Sequence, residues 1–310
     1  MRVATQTISN NLVNQFSKLA VRQGILQDQA ATGQRVRNLE DDPASARRVL
    51  EFQNDAGAIS QYQENIRIQK EKTTIGYEAM RGLQRVVERA SEIAISADGS
   101  NSPDDLKLMA IEVTQLIQTA AAYANTQHRG DYLFAGTRSD RPAFDVSTNG
   151  DGTIQTVTYQ GNDKPVAVEI DNGTTLSVQP PGANTTTTGT RGIITDATSG
   201  ADLFNHLIDL QDRLNAGDTT GIQDTVIADL DKDEGNILYN VAFIGTAQGR
   251  LEASEALGKS RLQSLNNLVS KEADADLADT LVRLNEVQNA YRAALQSGGT
   301  ILHLSLLDYI

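Results

Sequence analysis

The chain has no cysteine and no tryptophan, and only 5% of its 310 residues are aromatic. Without cysteine there is no disulfide framework and no thiolate metal site. With few bulky aromatics, and with Ala, Gln, Asn and Thr abundant, the composition favours thin helix-on-helix packing over a thick globular core. No apolar run approaches the roughly 18 residues of a membrane span. The opening MRVATQTISNNLVNQFSKL lacks the apolar segment of a cleavable secretion signal. Export of such a chain would have to use a route that reads something else. Basic charge is scarce as well. Lys and Arg number 27 against 40 Asp and Glu, a net charge of −13, which repels a phosphate backbone or an anionic membrane. The nearest basic clusters, Arg35 with Arg37 and Arg47 with Arg48, alternate with Glu40, Asp41, Asp42 and Glu51 and read as a mixed-charge surface.

What is present is heptad spacing at both ends and a β-prone middle. Near the C-terminus Leu277, Leu281, Leu284, Tyr291, Leu295 and Leu302 fall on alternating steps of four and three, with Gln288 and Gly298 at the two weak positions. This seam of about four heptads is too narrow for one globule and suits a coiled-coil partner. Near the N-terminus Leu12, Phe16, Leu19 and Leu26 share the face of a helix over residues 5–31, which Gly33 is suited to end in a left-handed conformation. Asp42 followed by Pro43 signals the start of a second helix. It runs without proline to about Ala97, and some 50 helical residues span roughly 75 Å.

The sequence DGSNSP from Asp98 breaks that helix, and Ser102, Pro103 and Asp105 start another. After Gly130 comes a β-prone run, Tyr132, Leu133 and Phe134. A strand is expected over Ile154–Tyr159, and a hairpin with Val166, Val168 and Ile170 on one arm, a turn at Asp171–Gly173, and Leu176 and Val178 on the other. Thr185–Thr190 reads as a loop. Helical periodicity returns at Leu203, pauses over Asn215–Asp218 and resumes through Leu265.

A search for chemistry finds little. His128, His206 and His303 are far apart and lack metal-site spacing; the nucleophile-elbow, phosphate-loop and dinucleotide motifs are absent. The run from Asp145 has Asn149, Gly150 and Asp151 near calcium-loop spacing, but Thr156 stands where a bidentate Glu is needed, so a turn is the better reading. The acid pairs Asp41/Asp42, Asp104/Asp105 and Asp274/Asp276 all fall at expected helix starts, where they suit the helix dipole. No catalytic, cofactor-binding or metal residue is assigned, and no enzyme activity is expected.

Three segments carry a resemblance: TGQRVRNLEDDPASA (Thr32–Ala46), DYLFAGT (Asp131–Thr137) and QSGGTILHLSLLDYI (Gln296–Ile310). Together they resemble the flagellin superfamily of bacterial flagellar proteins. The resemblance covers residues 1–137 and about 200–310. It implies a mainly α, flagellin-like fold with a β insert: an elongated helical rod or coiled coil built from both terminal segments, with a small β-rich domain at its tip. It divides the chain into terminal coiled-coil segments (1–42 and 273–310), a helical rod domain (43–137 and 200–272) and a variable β-rich insert (138–199). The implied function is a structural subunit at the junction of hook and filament, secreted through flagellar type III export without a cleavable signal peptide and located in the extracellular flagellum. The implied partners are other copies of the chain, hook-associated protein 1 and flagellin as axial neighbours, and a cytosolic export chaperone, with no nucleic acid and no membrane insertion. The heptad residues named above would form the assembly interface, N-terminal leucines facing C-terminal ones, and Gly33, Asp42 and Pro43 would shape the turn and cap between inner and outer layers. Filament flagellin is the alternative, and a secreted protein with a binding or enzymatic insert the more distant one.

Overall fold

The computed structural model describes the backbone of residues 2–307 and the side chains of residues 10–299. Its helices are α1 (Arg2–Thr32), α2 (Pro43–Ser96), α3 (Pro103–Ala124), α4 (Leu203–Ala216), the single turn α5 (Thr219–Gly221), α6 (Ile227–Ala273) and α7 (Leu277–Leu307), with a π-helical turn at Ile222–Val226. Nine short strands lie between α3 and α4. The chain separates into two compact units, residues 1–59 with 260–310 and residues 60–259.

In the second unit, α2 and α3 form a pair whose reversal is set by local chemistry. Ser102 caps α3 by accepting the Asp105 amide, while the Asp105 carboxylate reaches back to the Ser102 amide, with Pro103 in the first turn. The two helices approach closely at Gly82, where an added Cβ would lie 2.5 Å from the Tyr123 ring. Buried Met80, Leu83, Val87, Ala90 and Ala94 of α2 share one core with Leu106, Ala110, Val113 and Ile117 of α3. Leu207, Leu210 and Leu214 of α4 and Leu230, Ile237 and Ile244 of α6 complete it. The small alanines allow the close spacing and the leucines and isoleucines fill it, so burial of apolar surface at about 25 cal/mol per Å² is the main stabilising term.

The β segments attach to this core through side chains that take the place of strand partners. Strands β3 (Phe144–Thr148) and β4 (Ile154–Tyr159) form an antiparallel hairpin. Gln211 of α4, fully buried, accepts the Ile154 amide at 3.1 Å and donates to the Ile154 carbonyl at 3.1 Å. Asn125 likewise accepts the Phe144 amide and donates to its carbonyl, and Phe144 packs against the rings of Tyr159 and Phe204. The hairpin β5 (Val168–Asp171) and β6 (Thr174–Leu176) seats Ile170, Leu176 and the following Val178 in a separate small core with Ile66, Ala247 and Leu251. Strands β7 (Ala183–Asn184), β8 (Thr195–Asp196) and β9 (Ala201–Asp202) make a three-stranded sheet, parallel between β7 and β8. Asn184, buried, organises the exposed Thr-rich loop by donating to the Thr188 and Thr190 carbonyls and accepting the Thr186 amide.

One expected strand is shorter than its sequence suggests. Only β2 (Asp131–Tyr132) pairs, with β1 (Gln127–His128), across a turn at Arg129 and Gly130. Leu133 still donates its amide to the Thr126 carbonyl at 3.0 Å, and from there Leu133, Phe134 and Ala135 are buried in the core. There the Phe134 carbonyl accepts the Gly182 amide and the Tyr159 hydroxyl, so the apolar run marks a wedge rather than a strand. The pause at Asn215–Asp218 is a left-handed Gly217 that closes α4. Beyond it, Gln223 donates to the Ala94 and Ala97 carbonyls at the end of α2. Further along α6 the exposed positions include Gly235, Gly245 and Gly249, with nothing within 4 Å of where a Cβ would be.

Two glycine substitutions should therefore act in opposite directions. Gly82→Ala forces the Tyr123 ring aside and is expected to lower unfolding free energy by about 1–3 kcal/mol. Gly235→Ala, in open helix, is expected to raise it by about 0.5–1 kcal/mol. Urea unfolding followed by circular dichroism measures both, and equal signs would contradict the packing described.

Candidate functional site

Within the first unit the chain crosses itself between α1 and α2 on one side and α6 and α7 on the other. Thr32 ends α1, and Gly33, at φ +73°, donates its amide to the Gln29 carbonyl, the left-handed closure that glycine adopts without strain. The next residues run antiparallel to the α6–α7 connection. Arg35 and Val36 both donate amides to the Ala273 carbonyl, Ala275 donates to Gly33, and Gln34 forms a bridge with Asp274. Val36 and Ala273 are buried at this crossing.

Polar side chains extend the crossing. The Arg35 guanidinium donates to the Glu272 carbonyl at 2.7 Å and pairs with Asp42 at 3.3 Å. The Glu272 carboxylate accepts from the Ser45 hydroxyl at 3.0 Å and from Arg48 at 2.8 Å. Asp41 accepts the amides of Arg37 and Asn38, which fixes the turn before α2, and Asp42 accepts the Ser45 amide with Pro43 in the first turn. Asp276 does the same for α7, accepting the Ala278 and Asp279 amides. Gly33, Asp42 and Pro43 belong to one half of an interlock whose other half is Glu272–Ala275.

The electrostatics follow. Hydrogen bonds from the Ser45 side chain and amide, then from Arg35, hold the Asp42 carboxyl down at about 2. Arg48 and Ser45 lower Glu272 in the same way. A carboxyl whose folded-state pKa is depressed contributes stability above its unfolded value and loses it as pH falls through the folded one. For Asp42 that window runs from about 3.8 down to about 2.

The α1 and α7 helices pack against each other. On α1, Leu12, Phe16 and Leu19 are half-buried and Leu26 is buried. The Phe16 ring meets Tyr291 edge-on at 6.2 Å, and Gly298 lies where a Cβ would come within 3.1 Å of Phe16. The covered face of α7 reads Thr280, Leu284, Val287, Tyr291, Ala294 and Gly298, a strict four-three alternation. Leu284 and Tyr291 belong to it as expected. Leu277, Leu281 and Leu295 are about half exposed, at 49%, 50% and 49%. At every second seam position the more covered residue stands one before the expected one: Thr280 before Leu281, Val287 before Gln288 and Ala294 before Leu295. Those side chains are smaller or more polar than leucine, so leucine spacing drew the eye to the neighbouring stripe. The large Phe16 opposite Gly298 is the signal that marks the true face. The Leu302 side chain lies outside the described residues, as does that of His303.

Elsewhere, two histidines lie beside carboxylates. His206 meets the buried Asp233 at 2.8 Å, and Asp233 also accepts the Asp202 amide. Burial works against the imidazolium, but the Asp233 carboxylate outweighs it and raises the His206 pKa. His128 lies beside Glu71 at 3.5 Å. The calcium-like run is the β3–β4 turn, with Asp151 accepting from Thr153. Among the described residues no group of His, Asp or Glu could hold a metal ion, and no helix is long and apolar enough to cross a membrane.

Long helices, a small β region and an interlocked pair of terminal helices define a mainly α, flagellin-like protein, and the family described as the bacterial flagellin N-terminal helical region matches residues 3–139. The resemblance seen in the sequence is thereby borne out. More particularly, the chain is similar to flagellar hook-associated protein 3 of Salmonella typhimurium, with 23% identity over 97% of this chain and 98% of the relative. Among solved structures, a flagellar hook-associated protein from Vibrio parahaemolyticus superposes with a TM-score of 0.64 at 20% identity, covering 76% of this chain and all of that one. The flagellar junction protein FlgL from Legionella pneumophila superposes with a TM-score of 0.56 at 16% identity, covering 73% and 100%.

Replacing Ser45 with alanine should raise the Asp42 pKa toward its ordinary value and move the acid limb of unfolding to higher pH. Carboxyl titration by NMR reads the first and pH-dependent circular dichroism the second; an unmoved Asp42 would show that Ser45 does not set it.

Proposed function

We propose that the chain is a structural subunit of the bacterial flagellum that forms the junction between hook and filament. The observation that carries this reading is the similarity to hook-associated protein 3, which runs along nearly the whole of both chains. The surface of the first unit supports an assembling role. Leu277, Leu281, Val282 and Leu295 of α7 and Val13, Val21 and Ile25 of α1 are exposed, an unusual amount of apolar side chain to leave on two packed helices. Contact with further copies would bury them in an open, heterologous lattice, in which one patch meets a different patch on the next copy.

In this reading the axial neighbours are hook-associated protein 1 on one side and flagellin on the other, and a cytosolic chaperone accompanies the chain before type III export to the extracellular flagellum. The terminal segments 1–42 and 273–310 form the inner layer, 43–137 and 200–272 the layer around it, and 138–199 the variable insert. The role is architectural rather than catalytic, as befits similarity to structural flagellar proteins. Leu12, Phe16, Leu19, Leu26, Leu284 and Tyr291 hold the subunit's own helices together, while Leu277, Leu281 and Leu295 meet neighbours.

Deleting the gene should leave hooks without filaments and shed unpolymerised flagellin into the medium, as seen by electron microscopy and immunoblotting. Loss of the flagellin polypeptide itself would make the chain the filament subunit. Restoring the gene with Leu281→Asp, at an exposed position, should leave the purified subunit's melting temperature unchanged yet fail to restore filaments. Full restoration would remove Leu281 from the interface.

A further inference from the structure

The sequence contains two Asn-Gly pairs, Asn149-Gly150 and Asn172-Gly173. Each occupies an exposed hairpin turn, the first between β3 and β4 and the second between β5 and β6. Asparagine followed by glycine is the pair most prone to self-modification, because no glycine side chain obstructs the backbone nitrogen from approaching the preceding carboxamide. The two turns differ in how freely that approach can occur.

Asn149 is tied through its carboxamide nitrogen and both backbone polar groups. Its carboxamide nitrogen donates to the Thr153 hydroxyl at 2.9 Å, its amide donates to the Thr153 carbonyl at 2.8 Å, and its own carbonyl accepts the Gly152 amide at 3.1 Å. The Asn172 carboxamide carries no hydrogen bond among the described residues; only its backbone amide is engaged, with the Asp171 carboxylate at 2.9 Å. The nitrogen that would attack, that of Gly173, directs its hydrogen at the Glu169 carboxylate at 3.0 Å. No atom lies within 4 Å of where a Gly173 Cβ would stand. An unrestrained electrophile thus sits beside a nucleophile whose proton already faces an acceptor.

We propose that Asn172 is a site of spontaneous deamidation in the folded protein, and that it reacts ahead of Asn149. The Gly173 nitrogen attacks the Asn172 carboxamide carbon, forming a carbon–nitrogen bond as the bond to the side-chain nitrogen breaks. That nitrogen leaves as ammonia, with the proton given up by Gly173 accounting for its third hydrogen. Water then opens the five-membered imide at either carbonyl and leaves aspartate or isoaspartate at position 172. No redox partner is needed.

The product changes a loaded position. Glu169 does more than face Gly173: its carbonyl accepts the Asn65 side chain at 2.9 Å and its carboxylate accepts from Tyr62 at 3.4 Å, both on α2. A new carboxylate at 172 stands next to Asp171 and near Glu169, and an isoaspartate also lengthens the main chain by one carbon within a short hairpin. Both changes loosen the tip that holds β5 and β6 against α2. The site is independent of the flagellar reading.

The test is to age the intact chain at neutral pH and body temperature and follow both turns by peptide mapping with isoaspartate detection. Conversion at Asn172 should outpace that at Asn149 several-fold, the gap should close when the chain is aged unfolded in urea, and Glu169→Gln should slow Asn172 alone. Faster or equal conversion at Asn149 in the folded chain would overturn the proposal, as would the same ratio folded and unfolded. A Glu169→Gln chain that keeps the wild-type rate would remove the carboxylate's part in it.

Discussion

Everything in the first unit depends on one crossing, at which residues more than 220 positions apart in the chain are hydrogen-bonded, as in the Arg48–Glu272 pair. The backbone bonds among Gly33, Arg35, Val36, Ala273 and Ala275 fix where α1 ends relative to where α7 begins. Once those two points are set, the α1–α7 seam has only one register in which Phe16 meets both Tyr291 and the gap left by Gly298. Closing so long a loop carries an entropic cost that grows only slowly with its length. Exposed ion pairs alone would offset little of it. The crossing therefore relies on main-chain bonds and on buried Val36, Ala46 and Ala273, with Arg35, Ser45, Arg48 and Glu272 selecting the pairing.

Charge is divided unevenly between the two units. Residues 1–59 and 260–310 hold 11 Lys and Arg against 12 Asp and Glu; residues 60–259 hold 16 against 28. Both units leave leucine and isoleucine on their helix surfaces, the nearly neutral one at Ile25, Leu50, Leu277, Leu281 and Leu295 and the acidic one at Ile95, Leu108, Ile111, Leu238 and Leu257. Apolar contact between copies through the nearly neutral unit would meet almost no like-charge repulsion, whereas copies brought together through the acidic unit would repel unless salt screened them.

Local signals were legible in the sequence because each is a short-range physical requirement. Gly33, Asp42-Pro43 and Ser102-Pro103-Asp105 act within one helical turn, and the Asp171–Gly173 turn announces its hairpin within ten residues. The α7 seam was only half legible. Leu284, Tyr291 and Gly298 were found, but Thr280, Val287 and Ala294 lack the bulk that makes a stripe visible, and the exposed leucines beside them supplied a competing one. The buried wedge at Leu133–Ala135 read as a strand because an apolar run has the same composition in either setting. The interlock was not legible at all: Arg35, Ser45, Arg48 and Glu272 are ordinary surface residue types, and nothing near Glu272 in sequence points back to Ser45.

The main core of the second unit draws on residues 79–154 and again on residues 193–244. Neither stretch contains enough of the other's partners to bury its own apolar face. A ribosome working from the N-terminus will therefore have finished α2 and α3 long before Leu207, Leu230 or Ile237 exist to cover them. During that interval the helical pair lacks the α4 and α6 side chains that complete its core, which are distant in the chain. The order in which the residues are made thus leaves the main core incomplete until more than three-quarters of the chain has been synthesised, a property written into the connectivity rather than into any single residue.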